Sequence, residues 1–363
     1  MADPSWLPWW QTLGLTPNRL KDEINEKSSL LDTSDVSKEY MKTFSKHMAV
    51  LCVYISNRHE GTLPEGFQQY ETFGFLQKLL EGQAVASEGV NTAASWNSDG
   101  KSKDPATARR QLLQHLQALQ YLCYECEPGS KPLTVQMLQH THRLMMQGAV
   151  AEDGQPLEAG HFRINTASAG TGQVYLDPGL IADRTAKYVA IYNAAVEVNV
   201  DVSKRAADLF YGLIHLVHPF KDGNGRLGQL LVAYALMAGG VPFPLPLEDG
   251  HHKSRNHYQH VVLHYAKISH NTRLQHFILE CLHHKWVNFA QQVEVRAVCR
   301  CILVIGSPCQ RQVLALFGPA PGVRLFLQPV HVSVRQQPVL PAATAYVAIP
   351  GVGHKLISTP AQQ

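Results

Sequence analysis

Apolar residues recur along this chain at intervals of three and four, a spacing that lays one apolar stripe on each of a series of helices. From Ser34 to Ile55 the stripe is Met41, Phe44, Met48, Leu51, Cys52 and Ile55, with Ser34 as the expected cap and Gly61, Pro64 and Gly66 closing the segment. A second helix is expected from Tyr70 to Leu80. The stretch Glu81 to Pro105, rich in Ser, Asn, Gly and Lys, reads as a surface loop. Helical spacing resumes at about 107–125, at 134–147 behind the cap Thr134, and at 178–198. Residues 203–217 carry Ala206, Leu209, Phe210, Leu213 and Val217 on one face, with Ser203 as the expected cap. Another apolar helix runs from about Arg226 to Met237 and stops at Gly239, Gly240 and Pro242. Two more are expected at 254–268 and 272–290.

Three regions depart from this pattern. Residues 1–33 read as a loosely structured lead segment in which Trp6, Trp9 and Trp10 are candidates for docking. Between Gly160 and Tyr175, small and β-tolerant residues flank a Gly-rich turn, which is a hairpin signal. Residues 301–363 hold eight of the 21 prolines and no acidic residue, without a sustained helical period, and read as a poorly ordered or accessory tail. The fold class is therefore all-α with one small hairpin and a Pro-rich C-terminal tail. Its parts are a lead segment 1–33, a helical region 34–80, a polar loop 81–105, a core 106–295 and a tail 296–363.

Composition narrows the function classes. Of 363 residues, 45% are apolar and 17% charged, the balance of a globular chain. The net charge of +3 comes from 32 Lys and Arg against 29 Asp and Glu. Four of those basic residues, Arg311, Arg324, Arg335 and Lys355, lie in the acid-free tail, so residues 1–300 carry 28 basic groups against 29 acidic, a net of −1. A neutral body gives no electrostatic footing for nucleic acid. The longest apolar run, Leu230 to Ala238, is less than half of the ~20 residues of a membrane span. Seven scattered cysteines argue against a disulfide framework, and Cys123-x-x-Cys126 has no second pair at zinc-finger spacing. With no signal-like N-terminus and no N-x-Ser/Thr site, the expected location is cytoplasm or nucleus. Nine histidines between 251 and 284 include His260 and His264 at helical spacing, but no acidic or Cys partner accompanies them at diagnostic spacing, and a His-rich surface is the favoured reading.

The chemistry concentrates in one loop, His218-Pro219-Phe220-Lys221-Asp222-Gly223-Asn224-Gly225-Arg226, set between two amphipathic helices. Gly223 and Gly225 free the backbone to turn successive N–H groups inward as an anion nest at a helix N-terminus. Asn224 tolerates a left-handed conformation and stiffens the turn. Asp222 offers the hard oxygen that Mg²⁺ takes while sharing its other positions with water and phosphate. Arg226 can fork onto phosphate oxygens. His218 has an unperturbed pKa near neutrality and is the natural general base for a hydroxyl attacking phosphorus.

This string resembles the signature of Fic-domain proteins, His-x-Phe-x-(Asp/Glu)-Gly-Asn-Gly-Arg, and its chance occurrence in a chain of this length is on the order of 10⁻⁶. Two other segments extend the resemblance. Ala159-Gly160-His161-Phe162-Arg163 and the hairpin behind it look like the family's flap, with Ala167, Ser168, Ala169 and Gly170 where a target would pair. Ser56-Asn57-Arg58-His59-Glu60-Gly61 is similar to the family's inhibitory pattern, which implies that Ser56, Glu60 and Gly61 form an internal brake at a helix end. Arg255 and Tyr258 fall where the family has residues lining the nucleotide pocket.

The resemblance implies a Fic-like helical bundle that moves AMP from ATP to a Ser, Thr or Tyr hydroxyl of a target protein. ATP is then the substrate and Mg²⁺ the metal, with His218 as base, Asp222 on the metal, and Gly223, Asn224, Gly225, Arg226, Gln229 and Tyr258 on the nucleotide. The partner implied is a protein with an exposed hydroxyl, not nucleic acid or membrane, and a homodimer is among the assemblies allowed. One position departs from the family: Gln229 stands where a second Arg is expected to bind terminal phosphates and pair with the inhibitory Glu. A neutral amide has neither charge nor fork. Two alternatives therefore stand beside transfer: removal of AMP with Glu60 orienting a water, and a non-catalytic binding module.

Overall fold

The computed structural model describes residues 15–33, 35–63, 69–81, 96–97, 105–150, 155–168, 174–248 and 272–305. In chain order the helices are α1 (Pro17–Ser28), the single turn α2 (Leu30–Thr33), α3 (Asp35–His59), α4 (Gln69–Leu80) and α5 (Pro105–Gln120). They continue with α6 (Val135–Met146), α7 (Ile181–Glu197), α8 (Val202–Phe210), α9 (Asn224–Ala238) and α10 (Thr272–Ile305). Two-residue strands, β1 (Trp96–Asn97) and β2 (Ala149–Val150), pair in parallel with Trp96 opposite Ala149. Apart from this short pair the architecture is helical, as the periodicity predicts. Trp6, Trp9, Trp10, the expected cap Ser34, the segment 254–268 with His260 and His264, and the tail beyond 305 lie outside the described residues.

Helix α9 is the centre of the packing. Every residue from Arg226 to Leu236 is buried, so this helix is apolar around most of its circumference and is enclosed by α3, α8 and the π-helical segments flanking the core. α3 crosses it and carries a second apolar face. There Phe44 meets Phe243 edge-on at 5.2 Å, Phe243 meets Trp286 at 5.3 Å, and Tyr40 stacks on Phe289 at 5.6 Å. These rings join α3 and α10 to the segment after α9, each pair worth about 0.5–1.5 kcal/mol beyond its buried area. Cys123 and Cys126 are buried free thiols, and burial raises the pKa of both.

Three expectations need correction. Residues 17–33, expected to be loosely structured, are helical. Thr16 caps α1 by accepting from the Arg19 N–H, Pro17 occupies the first turn, and Leu20 and Ile24 are buried against the protein. α1 packs on α10 and is tied by Lys21 to Asp201 at 2.8 Å and by Glu23 to His283 at 2.7 Å. The cap of α8 is Asp201, not Ser203; Asp201 Oδ1 accepts from the Lys204 N–H, and Ser203 hydrogen-bonds the same carboxylate. α10 continues past residue 290 to Ile305, through the first ten residues assigned to the tail.

Two helices end in π-turns, Tyr121–Glu125 after α5 and Tyr211–Val217 after α8. The second delivers the chain to His218, which adopts a left-handed conformation with φ 52° and ψ 63°. Its N–H bonds back to the Leu213 carbonyl at 2.9 Å, five residues earlier. Such one-turn π-segments recur where a helix must offer a side chain to a site.

Candidate active site

The motif loop is held from below by its own Asn224. The Asn224 carboxamide accepts from the Phe220 N–H at 3.0 Å and donates to the Phe220 carbonyl at 2.8 Å, and it is 2% exposed. Asn224 stiffens the turn as expected, but it is the first residue of α9 and not left-handed; the left-handed residues of the loop are His218 and Gly223. Gly223 N–H is engaged by its neighbour, the Asp222 carboxylate. The N-terminus of α9 therefore opens at Asn224 and Gly225.

His218 stands at the rim of this opening. Its Nδ1–H donates to the Ile214 carbonyl at 3.0 Å, which fixes the neutral tautomer with the Nε2 lone pair free of that bond. Burial is the main cause that lowers its pKa from 6.5 to about 4, the Ile214 bond opposing and the nearby Arg163 charge adding. The ring stays neutral at physiological pH and can accept a proton. Tyr175, from the far side of the flap, lies face to face with it at 3.8 Å and 11°.

Arg163 is the residue that joins flap to loop. Its Nε donates to the His218 carbonyl at 2.7 Å, Nη2 to the carbonyls of Val217 and Leu176, and Nη1 to that of Asn165, while its backbone N–H donates to Pro219. The π-turn before His218 leaves carbonyls without helical partners, and one planar guanidinium satisfies two of them. The flap itself closes by an antiparallel bridge between Ser168 and Val174 and by the Tyr175 N–H on the Ala167 carbonyl at 3.0 Å. Ala169 and Gly170 lie outside the described residues.

The N-terminal motif meets the loop from the other side. α3 ends in a Schellman-type turn: Gly61, at φ 72°, donates to the Arg58 carbonyl, and the Thr62 N–H bonds that of Asn57 at 3.0 Å. This turn projects Glu60 so that Oε1 lies where a side chain on residue 225 would begin; only glycine leaves room for the carboxylate there. Ser56 is 1% exposed inside α3, and its hydroxyl has no hydrogen-bond partner among the described residues.

Arg226 and Gln229 share one face of α9. Arg226 is 2% exposed, and neither its Nε nor its Nη1 has a hydrogen-bond partner among the described residues. An arginine so enclosed normally has its donors met, so the free donors are suited to an anion. Gln229 is 6% exposed, with Nε2 likewise unpartnered among the described residues. Behind them, His115 is fully buried, accepts from Asn57 Nδ2 at 2.9 Å, and is held to a pKa of about 3, chiefly by burial and then by the Arg226 charge.

Among the described residues no three His, Cys, Asp or Glu side chains converge as a metal cage. One loop carboxylate, Asp222, partly exposed beside the helix N-terminus, is the donor set of Mg²⁺ bound through a single protein carboxylate, phosphates and water. The residues present fit that ion and not zinc. Thus His218, Asp222, Gly223, Asn224, Gly225, Arg226 and Glu60 come together; Tyr258 and Arg255 lie outside the described residues. Two residues were not picked out from the sequence: Tyr175, on the His218 ring, and His142, a core-facing position of α6. Nothing in the local pattern at either position distinguishes it from an ordinary packing residue.

A helical domain whose glycine-rich, histidine-bearing loop opens a buried helix beneath a bridged flap is the class of fold these observations define. The sequence profile of the Fic/DOC family matches residues 132–236 of this chain. The chain is 24% identical over 261 residues to protein adenylyltransferase Fic of Culex quinquefasciatus, covering 69% of this chain and 48% of that one. It is 36% identical over 107 residues to protein adenylyltransferase fic-1 of Caenorhabditis elegans, covering 29% and 20%. The chain thus spans half or less of the length of these relatives. In fold it is similar to the crystal structure of a Fic family protein from Desulfovibrio desulfuricans, with a TM-score of 0.55, 17% identity, and coverage of 79% of this chain and 80% of that one. No helix among the described residues is long and apolar enough to cross a membrane.

Proposed function

We propose that this chain is a Mg²⁺-dependent protein adenylyltransferase, moving AMP from ATP to a Ser, Thr or Tyr hydroxyl of a target protein, and that Glu60 restrains it. The observation that carries the reading is the arrangement around α9: a neutral histidine at one rim and an enclosed arginine with unpartnered donors, on either side of the helix N-terminus. The names of the relatives support the class of reaction.

In this reading the triphosphate lies on the N-terminus of α9, where the helix dipole and Arg226 favour negative charge. His218 Nε2 takes the hydroxyl proton as the hydroxyl oxygen bonds to the α-phosphorus. The bond from that phosphorus to the bridging oxygen breaks, and pyrophosphate leaves with the electron pair. Asp222 would hold Mg²⁺, which supplies charge neutralisation to the leaving phosphates. Glu60, lying over Gly225, sets a negative charge and a steric block in the same space, and so opposes the phosphates.

The test is incubation of wild type, Glu60→Gly and His218→Ala with Mg²⁺ and α-labelled ATP, reading label on the chain itself and on lysate proteins. Label strongest with Glu60→Gly and absent with His218→Ala is the expected result. Absence of label in all three with ATP binding intact overturns transfer. Release of AMP from a modified protein, dependent on Glu60, would replace it with hydrolysis.

A further inference from the structure

His142 lies in the middle of α6, fully buried, at a position the sequence presents as ordinary core. Its two ring nitrogens are both spoken for by backbone from different segments. The Gly160 N–H donates to Nδ1 at 2.8 Å, and a backbone amide can only donate, so Nδ1 is the unprotonated nitrogen. The ring proton therefore sits on Nε2 and is donated to the carbonyl of Asp222 at 2.9 Å. The ring also lies flat against Phe220 at 3.8 Å and 6°, and Phe162 of the flap meets the same Phe220 at 5.6 Å.

Both backbone partners are committed to this arrangement. Gly160 has φ 85°, and a Cβ there would stand 2.8 Å from the Gln139 carbonyl and 3.0 Å from Arg143 Cβ, so the flap begins pressed onto α6. Three residues on, Arg163 makes its bonds to the carbonyls around His218. Asp222 is the one carboxylate of the motif loop, and its backbone has no helical partner to hold it. One rigid imidazole thus sets the flap origin and the carboxylate-bearing loop at a fixed separation.

We propose that His142 is a positioning residue of this site, acting through two separable hydrogen bonds: Nε2–H places Asp222 for the metal–phosphate group, and Nδ1 places the flap for the target. The proposal rests on the reading of Asp222 and the flap given under Proposed function. A ring that only filled the core would not need both nitrogens, and Leu or Met would fill the volume without leaving polar atoms to satisfy.

The two bonds can be cut one at a time. In His142→Asn the amide oxygen falls near the place of Nδ1 and still accepts from Gly160, but nothing reaches Asp222. In His142→Gln the terminal amide reaches the place of Nε2 and still donates to Asp222, but Gly160 loses its acceptor. Amide hydrogen exchange of the full chain, without nucleotide, is the first readout. With His142→Asn the amides of Gly223 to Gly225 exchange on the order of ten-fold faster and that of Gly160 is unchanged; with His142→Gln the pattern reverses. The second readout is the Mg²⁺ concentration that half-saturates ATP binding, which rises on the order of ten-fold for His142→Asn and stays near wild type for His142→Gln. Identical behaviour of the two variants in both readouts, whether a shared loss or no change, overturns the proposal. A wild type that binds no ATP defeats the transferase reading alone, because the exchange pattern is read without nucleotide.

Discussion

Oε1 of Glu60 fills the position at which a side chain on Gly225 would begin. The contact joins the C-terminal end of α3 to the N-terminal turn of α9. It places a carboxylate against the pole of a helix that attracts anions, next to an enclosed arginine whose Nε and Nη1 have no partner among the described residues. In the function proposed above, a phosphate reaching that pole must first move Glu60. Because glycine at 225 is what admits the carboxylate, the proposed restraint and the proposed phosphate binding draw on the same cubic ångströms.

Glu60→Gly should therefore tighten Mg²⁺–ATP binding by ten-fold or more, about 1.4 kcal/mol, as measured by calorimetry. Adding Gly225→Ala to that variant should remove the gain, since the methyl group takes the space the phosphates would enter. An affinity that is the same in wild type and Glu60→Gly would sink the idea of restraint by occupancy.

Gln229→Arg tests the missing charge. A guanidinium on the Arg226 face of α9 offers Glu60 a charged, bidentate partner that the amide lacks. The gain in ATP affinity caused by Glu60→Gly should be larger in the Gln229→Arg background than in wild type, by a coupling of about 1 kcal/mol in a double-mutant cycle. Additive effects would mean that residue 229 does not communicate with Glu60.

Arg163→Lys keeps the charge and loses the fork. A single ammonium cannot serve the carbonyls of Val217, His218, Asn165 and Leu176 together, so about 2 kcal/mol or more of stability should be lost in denaturant titration. The conformation of His218 would loosen with it, and label transfer should fall further than ATP affinity does. A stability equal to wild type would show that water replaces the guanidinium without cost.

Helices with a long apolar stripe were legible because their partners are the core in general: α3, α4, α6, α7 and α9 lie within a few residues of their expected bounds. α1 was not, because only Leu20 and Ile24 are buried among charged neighbours, and what holds the helix is Asp201 and His283, far along the chain. The motif loop announced itself through residue types, and Gly61 through its place after a helix end. The left-handed His218 did not, since a π-turn breaks the 3.6-residue period without any residue that marks it. The roles of Arg163 and His142 are defined by carbonyls and amides of other segments, and backbone groups leave no trace in a sequence.

The buried histidines give the fold a dependence on pH whose sign can be worked out. His115 is held neutral, with its pKa lowered from 6.5 to about 3 by burial and then by Arg226; His218 is lowered to about 4, chiefly by burial. Between pH 6.5 and those values the unfolded chain binds the protons and the folded chain does not. Stability from these groups is therefore fully present above pH 6.5 and is lost as pH falls toward 4, by up to about 1.4 kcal/mol per pH unit for each histidine. His115→Gln removes one titrating group while keeping a polar side chain beside Asn57, so the fall in Tm between pH 6.5 and 4.5 should be shallower than in wild type, whatever the Tm at pH 7.5. An unchanged slope would mean that His115 takes up its proton in the folded state, contrary to an imidazole that is fully buried near a guanidinium.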